Sequence, residues 1–310
     1  MIIGSKSAFA KEQLLDRKSK GSNWFEAHTN YQDIIEINKM IEIRKVINEI
    51  GMKCYCVHSP MTNEENQWNE FCNKDQKRRE LNFNTLRRTL EIAENICDYK
   101  NPLVVTHMGD ANSMNSYKSK EEFKKIFSSE LIHVNEYLKK YHPNIIVVVE
   151  NMLRIWKSNN NIDYVMIDME KDVIDCFNEI KPSNIKIVLD ICHSQGTCNY
   201  NRIFNEKESF TTLMEYLYYS KDYLELIHLS KGEDLVLFGA THGLPYTESN
   251  QEDIDFMKEF LITLKMINYD NPITIETRER NHCNAINYKE TINTLQVANK
   301  MLSNLHNFKF

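Results

Sequence analysis

Eight short apolar runs, rich in β-branched residues and separated by stretches of mostly helical spacing, constrain this chain more than any other feature. They are read at Met1–Ser5, Ser22–His28, Lys53–His58, Pro102–Val105, Asn144–Val149, Ile185–Leu189, Leu224–Ile227 and Ile273–Ile275. Strands alternating with helices argue parallel βα units. Eight such units argue one closed (β/α)₈ barrel over residues 1–310. The alternative is an open doubly wound sheet. No glycine-rich phosphate fingerprint follows the first strand, which counts against a dinucleotide-binding version. No internal repeat beyond the βα unit and no low-complexity segment is visible.

The helical stretches carry readable ends. Asp33-Ile34-Ile35-Glu36 looks like a capping box opening a helix that runs to Ile50, with Gly51 as its C-terminal cap. Shorter or later helices are expected at Lys11–Arg17, Asp172–Ile180, Glu208–Tyr219, Asp253–Ile267 and Tyr288–Leu305. Two more are marked by their stripes, Leu86, Leu90, Ala93 and Cys97 in one, and Phe123, Phe127, Leu131, Val134 and Leu138 in the other. The polar stretch from Met61 to Lys77 is long for a connection, either a lid or a surface insertion.

The formal net charge of −6 gives no basic footprint of the kind nucleic-acid binders show. Eight cysteines occur with no CxxC pair, which argues against a structural zinc knuckle. Cys54 and Cys56 are expected to share one face of a strand as reduced core residues. The N-terminus does not resemble a signal peptide, and no apolar run reaches the roughly 20 residues that cross a bilayer. A reduced, cytoplasmic protein with no membrane partner is the expectation.

Six successive strands finish on a side chain able to hold a metal: His58, His107, Glu150, Asp190, His228 and Glu276. His193 and His242 follow just beyond their strands. A lone histidine at a strand end is ordinarily part of a hydrogen-bonded structure. Six such ends converging on one rim are different, because clustered charges there repel unless a cation joins them. Mixed nitrogen and oxygen donors suit Zn²⁺, Mn²⁺, Fe²⁺ or Co²⁺. His133, His142, His282 and His306 are read as structural or solvated, and His28 as outside the set, with a place on the rim as the alternative.

These motifs, in this order, resemble the xylose isomerase-like TIM-barrel superfamily of sugar isomerases, epimerases and endonuclease IV enzymes. The pieces are Val57-His58-Ser59-Pro60, Val105-Thr106-His107-Met108-Gly109, Val149-Glu150-Asn151, Leu189-Asp190-Ile191-Cys192-His193, Ile227-His228-Leu229 and Ile275-Glu276-Thr277. In the isomerase and epimerase branch the resemblance implies one ion held by Glu150, Asp190, His228 and Glu276. Glu150 and Glu276 would also act as acid and base on a carbohydrate-like substrate, with His193 on its hydroxyls. A bound metal acidifies the C–H beside a carbonyl, so one carboxylate can take the proton and the other return it.

In the endonuclease IV branch, which cleaves DNA at abasic sites, the resemblance implies two or three ions. It adds His58, His107, His193 and His242 to the ligands. Here Ala240 stands where that branch has an Asp, so a third ion would lose a charged ligand. Thr29-Asn30-Tyr31-Gln32-Asp33 carries no Arg where that branch grips DNA, and Met61-Thr62 replaces its aromatic wedge. Lys231, Arg278 and Arg280 follow their strands and are either contacts for an anionic substrate or plain rim charges. A metal-dependent isomerase or epimerase is therefore expected first, with a homo-oligomer left open. A phosphodiesterase is the alternative, with DNA as partner only in that case, and a lyase or a non-catalytic metal-binding barrel stands behind both.

Overall fold

The computed structural model of the chain describes residues 1–109, 111–153, 155–158, 161–164, 170–206, 209–233 and 241–304. Its strands are β1 (Ile3–Ala8), β2 (Trp24–His28), β3 (Lys53–His58), β4 (Leu103–His107), β5 (Ile146–Glu150), β6 (Ile155–Ser158), β7 (Asn161–Tyr164), β8 (Ile185–Asp190), β9 (Leu224–Leu229), β10 (Lys231–Glu233), β11 (Thr241–Leu244) and β12 (Ile273–Ile275). Eight of them close a barrel in the order β1-β12-β9-β8-β5-β4-β3-β2. Every pairing in it is parallel, and β1 seals the barrel by pairing with both β2 and β12. All eight expected strands are present, with ends shifted by a few residues. Two antiparallel pairs, β6-β7 and β10-β11, are additions that periodicity did not signal. Among the described residues no helix is long and apolar enough to cross a membrane.

Side chains alternate along a strand, so every second residue of a barrel strand faces inward. On β4, β5, β8 and β9 one set of alternate residues is apolar and packs together: Leu103, Val105, Val148, Val188 and Leu226. Two residues further along the same alternation stand His107, Glu150, Asp190 and His228. The intervening Val104, Val147, Val149, Ile187, Leu189, Ile227 and Leu229 belong to the larger core cluster, together with residues of the helices. The barrel is thus apolar in its lower layer and polar at the C-terminal ends of its strands, where such barrels place their sites.

Local chemistry departs from the sequence reading in four places. The capping box belongs to Asn30, whose side chain accepts from Asp33 N while Asp33 reaches back to Asn30 N. It opens only the short helix Tyr31–Ile35, and a second helix, Ile37–Ile50, starts after Glu36 and ends at Gly51 with φ 69°. An unexpected helix, Ile191–Ile203, begins directly at Asp190, which caps it by accepting from His193 N at 2.8 Å. The helix expected from Glu208 runs instead over Leu213–Ser220, opened by a Thr212–Glu215 capping box. Cys54 and Cys56 do not share surroundings: Cys54 packs in the larger cluster and Cys56 in the smaller one. The register between β2 and β3 shifts between Phe25 and Glu26, and such a bulge interrupts the simple alternation.

Gly4 on β1 is fixed by its surroundings. A Cβ there would lie 2.5 Å from Tyr55 Cε1 and 3.0 Å from the Trp24 carbonyl oxygen. Tyr55 is fully buried and cannot swing away. Gly4→Ala is expected to destabilise the fold by about 1–3 kcal/mol through overpacking, read as a lower urea midpoint at unchanged m-value.

Candidate metal centre

Glu150 ends β5, and its Oε2 is the point on which three histidines converge. His58 Nε2 lies 3.4 Å away, His228 Nδ1 3.6 Å and His107 Nε2 3.7 Å. Both Glu150 and its histidines are buried, His107 being the most exposed at 6%. Glu150 Oε2 nevertheless makes no hydrogen bond, and neither do Glu276 Oε2 and His228 Nδ1. The last two face each other at 2.8 Å without the alignment a hydrogen bond needs. Buried polar atoms aimed at one another and unsatisfied are costly alone and are what a cation between them would satisfy.

Tautomers sharpen the fit. The His58 Nδ1–H donates to the Ser59 carbonyl at 2.8 Å, so Nε2 turns its lone pair toward Glu150. The His193 Nδ1–H donates to the Asn151 carbonyl at 2.8 Å, and the same nitrogen lies 3.7 Å from Glu150 Oε1 and 3.8 Å from Asp190 Oδ1. Burial, joined by the neighbouring His58, pushes His107 down to about 3, so it is neutral and can donate a lone pair at neutral pH. Burial opposes charge on Glu150 and Glu276 as well. It is outweighed by His228 and His107 at Glu150, and by Lys6 and His228 at Glu276, so both stay well below the usual carboxylate range.

Three donor groups result, each with ligand atoms within 4.8 Å of one another: His58, His107 and Glu150; Glu150, Asp190 and His193; and Glu26, His228 and Glu276. Glu150 belongs to two of them. Asp190 is placed by its double duty as strand end and helix cap, and Asn151 ties it down by accepting from Asp190 N at 2.7 Å. These buried groups fit a metal site.

The remaining expected residues fall elsewhere. Lys231 pairs with Asp253 at 2.8 Å and lines a groove of about 410 Å³ beside Gln195 and Tyr246. Arg278 and Arg280 are exposed. His242 sits in β11, but its side chain, like Ala240 and His306, lies outside the described residues. His28 stands on the rim, exposed, with its ring 5.7 Å from that of His58. His142 pairs with Glu94 at 2.8 Å and His133 lies against Phe83, away from the centre.

Two residues escaped the sequence reading. Lys6 on β1 lies 2.6 Å from Glu276 Oε1 and 3.6 Å from Glu26 Oε1. Glu26 on β2 is fully buried and accepts from His228 Nε2 at 2.9 Å. Burial opposes its charge, but His228 and Lys6 hold it down to about 2. Burial also opposes charge on His228, and Glu26, Glu276 and Glu150 together raise it well above the ordinary histidine value. The available signal was alternation: Glu26 is two residues before His28, and Lys6 two after Gly4.

The stretch after Met61 folds over the rim and is pinned to it. Phe71 N donates to the His107 carbonyl at 2.8 Å, and Asn69 Nδ2 to Ser59 Oγ and the Pro60 carbonyl. Asn63 accepts from Glu65 N and Gln67 N and donates to Asn82. This brings the Trp68 ring to 5.4 Å from that of His107.

The fold is shared with known structures. The E. coli 3-keto-D-glucoside 4-epimerase YcjR is 17% identical, with 96% of this chain and 99% of that one covered at a TM-score of 0.64. The IOLI protein with a bound zinc atom is 14% identical, with 99% and 100% covered and a TM-score of 0.65. An AP endonuclease family 2 protein from Brucella melitensis is 10% identical, with 92% and 95% covered and a TM-score of 0.64. No curated protein matches the sequence. The profile of the xylose isomerase-like TIM barrel covers residues 18–298, and with the closed barrel and its polar rim it shows that the chain belongs to that family.

Proposed function

We propose that this chain is a divalent-metal-dependent isomerase or epimerase of a carbohydrate-like substrate, with Glu150, Asp190, His228 and Glu276 as the ligands of its principal ion. The observation that carries the reading is a pair of carboxylates, Glu150 buried and Glu276 partly buried, each with a buried unsatisfied oxygen, beside His228 and near a pinned loop. A site of this enclosure suits a small molecule. Two structural neighbours point the same way, one an epimerase of a keto-glucoside and one holding zinc.

A divalent ion held there supplies Lewis-acid polarisation of a substrate carbonyl or hydroxyl. The chain's own groups do the rest. Glu150 and Glu276 both stand as carboxylates, the form that accepts a proton from carbon, and the one that has accepted it can return it. Lys6 holds Glu276 Oε1, which fixes the direction of its second oxygen. His193 and the Trp68 ring would bound the space in which a sugar hydroxyl and its apolar face would sit.

Polynuclear phosphodiester hydrolysis is the second reading. It is favoured by the presence of Glu150 in two donor groups, one of them completed by His58 and His107.

Metal uptake comes first. Mn²⁺ or Zn²⁺ at about 100 times its Kd is expected to stabilise the fold by about 2.7 kcal/mol, reversed by a chelator, and Glu150→Ala should remove that gain. The chemistry is tested by incubating the Mn²⁺-loaded protein in D₂O with free and phosphorylated ketoses and aldoses. Deuterium should enter at the carbon beside the carbonyl, and Glu276→Gln should slow this by about 10²–10⁴-fold. A metal-loaded protein that exchanges none of the panel, yet nicks a duplex carrying a synthetic abasic site, would replace the first reading with the second.

A further inference from the structure

Glu26 occupies a position in which a carboxylate is strongly unfavourable unless it is paired and hydrogen-bonded. It is fully buried on β2, between Phe25 and Ala27 of the apolar core. Its Oε2 accepts from His228 Nε2 at 2.9 Å and from Thr274 Oγ1 at 2.7 Å. Because Thr274 Oγ1 donates to Glu26, Tyr55 Oη is the donor in its contact with Thr274 at 2.5 Å. Its Oε1 makes no hydrogen bond and is paired only by charge with the Lys6 ammonium at 3.6 Å, which also holds Glu276 Oε1 at 2.6 Å.

The consequence lies at His228. A carboxylate on Nε2 can only accept, so the ring keeps its proton there. Nδ1 faces Glu276 Oε2, 2.8 Å away, and Glu150 Oε2, 3.6 Å away, and is the nitrogen left to give a lone pair when an ion takes the place of its proton. Without Glu26 the ring is free to take the other tautomer, and the donor set loses its nitrogen. Lys6 completes the bracket by fixing Glu276 through the same buried carboxylate.

We propose that Glu26 is a positioning residue of the metal centre: it selects the His228 tautomer and, through Lys6, couples the orientation of His228 to that of Glu276. The inference rests on the reading of Glu150, Asp190, His228 and Glu276 as metal ligands. It adds a residue that would hold His228 from behind rather than ligate that ion, on a strand that contributes none of those ligands.

The test uses Co²⁺ as probe, with affinity measured by competition against a chromophoric chelator and geometry by the visible absorption of the bound ion. Glu26→Gln retains size and hydrogen bonding but offers an amide that can donate as well as accept. It is expected to weaken Co²⁺ binding by about 10–100-fold and to shift the absorption bands. Thr274→Val, which removes one donor to Glu26 and leaves the carboxylate, should weaken binding less. A merely structural role would lower the thermal midpoint of both variants without changing the spectrum. Glu26→Gln that folds and binds Co²⁺ with wild-type affinity and spectrum overturns the proposal. If that variant does not fold, Thr274→Val with unchanged affinity and spectrum overturns it instead. A wild-type chain that takes up no Co²⁺ overturns the metal reading itself, and this inference falls with it.

Discussion

One carboxylate oxygen, Glu150 Oε2, is placed among three imidazoles without a hydrogen bond, and the upper layer of the barrel is built to keep it there. Burying such a group costs several kcal/mol unless something compensates. Parallel strands closed on themselves give their inward side chains no other outlet, so polar residues at the strand ends must satisfy one another or share a cation. The fold meets that demand by fixing tautomers from behind. The Ser59 and Asn151 carbonyls take the outer protons of His58 and His193. His58 Nε2 is thereby turned toward Glu150 before any ion arrives, which lowers the reorganisation that binding requires.

The two sides of the rim are not equivalent. On the side of β3 and β4 the inward groups are neutral-capable imidazoles, His58 and His107, held against backbone carbonyls and the Trp68 loop. On the side of β1, β2 and β12 they are charged, Lys6, Glu26 and Glu276, held against each other. Glu150 and His228 stand between. Imidazole nitrogens on one side and carboxylates on the other create two environments that differ in charge; Glu150 belongs to the donor group of the first and to a further one with Asp190 and His193.

Much of this was readable from sequence because of where β-branched runs stop. His58, His107, Glu150 and Asp190 are the last residues of β3, β4, β5 and β8, so counting to the end of an apolar run found them. His228 lies one residue inside the end of β9 and Glu276 one beyond β12, still within the error of that count. Lys6 and Glu26 lie before their strand ends, and only the inward alternation exposes them. The helix Ile191–Ile203 was hidden for a different reason: Cys192, His193, Ser194 and Gly196 give it no apolar stripe, and Asp190 had been assigned to the strand alone. Asn30 was overlooked as a cap because Asp33 and Glu36, three apart, imitate the same motif one turn later.

The loop between β3 and the helix Gln76–Ile96 lies beside the centre, with the Trp68 ring 5.4 Å from that of His107. Lids that open and close carry few fixed backbone contacts. This one is crossed by side-chain bonds from Asn63 and Asn69, by the Phe71 N–H on the His107 carbonyl, and by the Arg78–Glu70 pair at 2.9 Å. It therefore works as a wall, with Trp68 as the face presented next to His107. An aromatic face beside a ring of polar donors is suited to a flat, partly apolar ring that also carries hydroxyls. A duplex would need basic side chains along the rim to hold its phosphates, and the stretch after β2, Thr29 to Asp33, supplies none. The pinned loop and its aromatic face therefore fit the small hydroxylated substrate proposed above.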